Sequence, residues 1–159
     1  MKQQVKTFLK GFLFMIPLFL ITINVNAQEI DAYTKAKGEI IEMYGTFPTW
    51  FDAYPEYALS GAWENFKQIS GAGSAIPPKY RELMQLAVAS QIPCVYCVYY
   101  HKVAAKMFGA TDEEINEAVA QAAQTRQWSM ITQGSEISLE AYKKEVGAVM
   151  KYMAEKAKK

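Results

Sequence analysis

The stretch Cys94-Val95-Tyr96-Cys97-Val98-Tyr99-Tyr100-His101 holds both cysteines and the only histidine of a 159-residue chain. On a helix, Cys94, Cys97 and His101 stand at i, i+3 and i+7 and share one face. Pro93 suits the residue before such a helix, because a helix start leaves its first N–H groups unpaired in any case. The free N–H groups and the helix dipole there favour a thiolate on Cys94. His101 lies one turn beyond Cys97, where it can take or return a proton. The spacing describes a dithiol with a base beside it. A bridge between cysteines this close shuts a very small loop and adds little chain-entropy stabilisation, which favours a redox role over a structural one.

Composition bounds the scaffold these residues need. Lys2, Lys6 and Lys10 form a basic start, Gly11 to Ile23 is an apolar run, and Val25-Asn26-Ala27 ends in a small residue. This is the pattern of a secretory signal peptide over residues 1–27, cleaved after Ala27. The apolar run is shorter than the ~20 residues that span a bilayer, which argues against an uncleaved anchor. Pro17 also interrupts it. Export places the protein in the periplasm or outside the cell, where a disulfide can persist. No membrane span is expected in the mature protein. Residues 28–159 are long enough for one ordinary domain with a real core. The formal net charge of +1 turns weakly acidic once the leader lysines are removed. No basic patch is interleaved with aromatics, so nucleic acid is not an expected partner.

Helical spacing runs through the rest and no segment alternates as a strand, so the class is all-α with about six helices. Residues 30–44 form the first, with Ile30, Tyr33, Ile40, Ile41 and Tyr44 near one face. Trp50, Phe51 and Tyr54 then make an aromatic cluster that reads as core packing. Pro55 opens a second helix carrying Leu59, Trp63, Phe66 and Ile69, and Ser70-Gly71-Ala72-Gly73-Ser74 ends it. Pro77-Pro78 opens a third, from about Lys79 to Ser90, whose apolar side is Tyr80, Leu83, Met84, Ala87 and Val88. Glu82 sits beside that stripe, in the first turns, where an acid ordinarily complements the dipole from a solvated face. The fourth helix runs from Cys94 to about Phe108 and stops at Gly109. Thr111-Asp112-Glu113-Glu114 is a capping box for a fifth, carrying Ile115, Ala118, Val119 and Ala122 and ending near Gly134. Ser138 caps a last helix, with Leu139, Tyr142, Val146, Val149 and Met153 turned inward.

The segment from Arg81-Glu82-Leu83 to Glu114-Ile115 resembles the core of the carboxymuconolactone decarboxylase superfamily, and more narrowly the AhpD-like alkylhydroperoxidases. The matched pattern is Glu82, eleven residues, Cys94-x-Tyr96-Cys97, three residues and His101, continuing into Lys106-Met107-Phe108-Gly109-Ala110-Thr111. The resemblance implies an all-helical fold, assembly as trimers or hexamers, and dithiol peroxidase chemistry. By match of position it makes Cys97 the peroxidatic cysteine, Cys94 the resolving cysteine, and His101 with Glu82 a proton relay. The partners implied are a hydroperoxide or disulfide substrate and a thiol electron donor, with no bound cofactor. The decarboxylase branch generally lacks the cysteine pair, so its lyase chemistry is the weaker reading. Tyr96 stands where some members carry a second histidine, and Lys106 where arginine is common.

Two further readings compete with a peroxidase. Cys94, Cys97, His101 and Glu82 have the ligand count of a zinc site, although structural zinc usually draws on separated pairs. The chain can also be a non-catalytic helical interaction domain whose short disulfide export merely permits. Tyr96, Tyr99 and Tyr100 read as core or subunit-interface aromatics. N-terminal sequencing of exported protein is expected to begin at Gln28, and a chain that still begins at Met1 would refute the cleavage.

Overall fold

A computed structural model describes residues 30–92 and 94–158. The signal peptide over 1–27 and the helix-opening role of Pro93 lie outside the described residues. All regular structure among the described residues is helical. The helices are α1 over 30–44, α2 Thr49–Asp52, α3 Glu56–Ser70, α4 Pro78–Gln91, α5 Val95–Met107, α6 Asp112–Gly134 and α7 Leu139–Lys156. No helix among the described residues is long and apolar enough to cross a membrane. The chain divides into two compact units between Ser74 and Ala75, at the end of the Gly/Ser stretch.

In the first unit, α1 contributes Ala36 and Ile40 and α3 contributes Leu59 and Trp63 to one buried cluster. Tyr33, Tyr44, Phe47, Phe51 and Phe66 pack around it. Trp63 stacks on Phe66 at 5.3 Å and meets Phe51 edge-on at 5.8 Å, arrangements aromatic quadrupoles favour. Its indole N–H donates to Glu39 Oε2 at 2.8 Å, an oxygen that also receives the Lys67 ammonium. Of the aromatic cluster expected to be core, only Phe51 packs against it, partly buried; Trp50 and Tyr54 stay exposed, as do Ile30, Ile41 and Ile69. The short α2 falls where the sequence showed only a break and aromatics.

In the second unit, Pro78 occupies the first position of α4, where its missing N–H costs nothing. The capping box of α6 is complete: Glu114 N–H donates to Thr111 Oγ1 at 3.1 Å, and Thr111 N–H donates to Glu114 Oε2 at 2.9 Å. Lys79 Nζ reaches the other oxygen of Glu114 at 2.7 Å and fastens the start of α4 to the start of α6. This ammonium, and then the Thr111 N–H, hold the Glu114 carboxyl below the usual carboxylate range. After α5, Gly109 takes φ +84°, a left-handed conformation that glycine adopts without steric penalty. Leu86 of α4, Ala105 of α5, Ala110 in the turn between α5 and α6, and Ile115 of α6 form the buried cluster. α4 packs against both α5 and α6.

Two sequence expectations are overturned. The inward face of α4 is Arg81, Glu82, Leu86 and Ala89, while Tyr80, Met84 and Val88 are exposed. The helix turns its polar pair inside and leaves three of the five stripe residues out, while Leu83 packs against the core, so apolar periodicity alone misplaced most of the buried side. In α7, which Ser138 does cap, Leu139, Tyr142, Val146, Val149 and Met153 do not face inward. No residue of that helix is buried.

The Lys67 ammonium, and after it the Trp63 indole, hold the Glu39 carboxyl below its ordinary value of 4.5. A depressed folded-state value adds stability above the unfolded carboxyl range and loses it as pH falls through the folded value. Glu39→Gln is therefore expected to lower the melting temperature near neutral pH. The gap from wild type should close in acid, which thermal melts across that range will check.

Candidate active site

The site is built on the facing sides of α4 and α5. Cys94 is the N-cap of α5 and not its first residue, so the helix starts one position later than the spacing alone implies. Its Sγ accepts the backbone N–H of Cys97 at 3.2 Å. A sulfur in the capping position meets the unpaired N–H groups of the first turn, which favour negative charge on it. Cys94 and Cys97 are joined in a disulfide with their Cα atoms 5.3 Å apart. Both are half-buried.

Cys97, His101 and Ala105 recur every four residues and share the face of α5 turned to α4. Ala105 is fully buried, and so small a side chain lets the helices approach closely. On α4, Glu82 lies one turn before the buried Leu86. The two long polar side chains meet there: His101 Nδ1 and Glu82 Oε2 are 2.8 Å apart. Glu82 is only 6% exposed, which rules out the solvated-face role that its position near a helix start suggested. Against an ionised carboxylate, which only accepts, Nδ1 is the donor, and a neutral imidazole then presents Nε2 as an acceptor. Tyr100 presses edge-on against the imidazole at 5.3 Å.

All four residues singled out by the sequence thus fall in two bonded pairs, Cys94 with Cys97 and His101 with Glu82, linked by one turn of α5. Tyr96 and Tyr99 are not core: they are 85% and 74% exposed. Among the described residues no group of three or more His, Cys, Asp and Glu is arranged to hold a metal ion. The sulfurs a metal site would need are bonded to each other. One neighbour was given no role by the sequence reading. Arg81 is buried beside Glu82, its Nε 3.8 Å from Glu82 Oε1. Its signal was a cation in the first turns of a helix, where the dipole disfavours one.

Fold and site together define an all-helical domain that carries a paired dithiol and a buried carboxylate–imidazole contact. The chain belongs to the carboxymuconolactone decarboxylase family, whose model matches residues 57–138. Its fold is AhpD-like: it is similar to the crystal structure of the alkylhydroperoxidase AhpD core from Rhodospirillum rubrum, with a TM-score of 0.61 at 23% identity. That match covers 74% of this chain and 90% of the other. Comparison with curated proteins finds no match.

The structure has no free cysteine among the described residues. The protein isolated without reductant is therefore expected to resist thiol alkylation. It should gain two alkyl groups after mild reduction, read by mass spectrometry; alkylation before reduction would refute the bridge.

Proposed function

We propose that this chain is an exported, thiol-dependent peroxidase: a dithiol–disulfide oxidoreductase that reduces hydroperoxides through Cys97 and Cys94. The observation that carries the reading is a disulfide-forming pair one turn from an imidazole held by a buried carboxylate. In the reduced enzyme His101 takes the Cys97 thiol proton. The thiolate attacks the terminal peroxide oxygen, the O–O bond breaks, and the alkoxide leaves with a proton as an alcohol. Cys97 becomes a sulfenic acid. The Cys94 thiol displaces its hydroxyl as water and closes the disulfide. An external thiol then attacks the bridge, a second completes the exchange, and the donor leaves as its own disulfide. Glu82 keeps the imidazole in the tautomer that leaves Nε2 free to accept.

The same reading includes self-association as a trimer or hexamer. Its support is exposed apolar surface: α7 buries nothing, and Trp128, Met130 and Ile131 of α6 are exposed with it. Apolar surface on this scale marks an interaction face. Light scattering of the purified protein should then find no monomer at micromolar concentration.

Turnover of several hydroperoxides with several donor thiols tests the chemistry. Cys97→Ser is expected to abolish peroxide consumption. Cys94→Ser should permit one oxidation per chain and stop there, with sulfenic acid trapped at Cys97. His101→Ala should slow the reaction about a hundredfold, the scale of a lost proton-transfer group. Raising the pH should partly restore it. Stable sulfenic acid at Cys94 in Cys97→Ser, with none at Cys97 in Cys94→Ser, would reverse the two sulfur roles. Absence of turnover in wild type with every donor would refute the peroxidase.

A further inference from the structure

Arg81 carries three costs at once. It is buried, at 9% exposure. Its Nε is the one buried side-chain polar atom among the described residues without a hydrogen-bond partner, and leaving such a group unmade is expensive. It also lies in the first hydrogen-bonded turn of α4, with its N–H on Pro77 O, at the end of the helix that repels cations. Neighbouring residues on a helix do not ordinarily face each other. Even so, Arg81 turns its guanidinium toward Glu82, bringing Nε within 3.8 Å of Oε1.

The carboxylate explains this. Glu82 is buried with one oxygen on His101 Nδ1. A neutral imidazole brings no charge to offset a buried anion, and a buried anion without a counter-charge is strongly destabilising. Lys79, the nearest ammonium along α4, is committed to Glu114. The other cation of α4 is Arg81, whose Nε is 3.8 Å from the oxygen that His101 leaves unused.

We propose that Arg81 is a positioning residue for the site: its guanidinium holds Glu82 Oε1, so that Oε2 stays on Nδ1 and His101 keeps its Nε2 free. Arg81 touches neither sulfur nor substrate in this role; it acts through Glu82. The inference rests on the proton-relay reading above but is tested without peroxide turnover.

Because the chain has one histidine, the ¹⁵N spectrum of histidine-labelled protein reports this imidazole alone. Wild type should show mainly the Nδ1–H tautomer, and Glu82→Gln marks its loss. In Arg81→Met, which keeps the bulk and removes charge and donors, the ratio of Nδ1–H to Nε2–H is expected to fall about tenfold, the scale of one lost charge–charge interaction at this distance. Arg81→Lys, which keeps the cation, should restore most of it. Helix content by circular dichroism identifies the variants that are folded. A folded Arg81→Met with the wild-type ratio overturns the proposal. If Arg81→Met does not fold, Arg81→Lys decides: retention of the Nδ1–H tautomer supports positioning by charge, and a folded Arg81→Lys that has lost it overturns that role. Failure of the peroxidase reading shows separately, as wild-type dithiol that hydroperoxides do not oxidise.

Discussion

The second unit depends on a carboxylate taken out of water. Glu82 is buried, and its contact with His101 Nδ1 joins α4 to α5 at the place where the cysteines are. Burying such a group is tolerable only with partners in fixed geometry. The local packing reads as the set of conditions for that geometry. Ala105 lets α5 come close, Leu86 and Ile115 fill the space one turn away, and Lys79 with the capping box fixes the start of α4 against α6. The first unit needs a similar but milder arrangement. There Glu39 takes the Trp63 indole and the Lys67 ammonium on one oxygen, at the margin of an aromatic core.

Where backbone chemistry sets an element, the sequence was legible. Thr111 with Glu114, Ser138 and Gly109 marked helix ends that the structure has, because a cap or a left-handed residue is a local requirement. The cysteine pair and its histidine were legible for the same reason, since three positions on one short helix need no knowledge of the fold. The inward face of α4 was not. Its Tyr80, Met84 and Val88 offer an apolar stripe, and transfer energy alone would bury them. The buried side instead follows from a polar contact with α5, and a long-range partner leaves no periodic trace. α7 fails differently. Its apolar residues repeat as a core stripe repeats, but periodicity cannot tell a buried stripe from an exposed one.

Family and chemistry come apart in an instructive way. Membership of the carboxymuconolactone decarboxylase family rests on residues 57–138, a span that includes α4, α5 and α6 and ends short of α7. A shared helical frame does not by itself choose between a lyase and an oxidoreductase, because function resides in the site carried by a fold. In this chain the frame carries a sulfur pair at the head of α5.

The capping of α5 by Cys94 has a mechanical meaning. The atom that bonds to Cys97 Sγ is also the atom that receives the Cys97 N–H. Backbone hydrogen bonding, and not only the covalent bridge, therefore holds that sulfur in the first turn. The chain between the two sulfurs is already wound as a helix whose propagating bonds lie elsewhere, from Val98 N–H to Cys94 O onward. The entropy of ordering these residues is spent in forming the helix that carries them. Both sulfurs are therefore placed by the backbone that carries them, before the bond between them is counted.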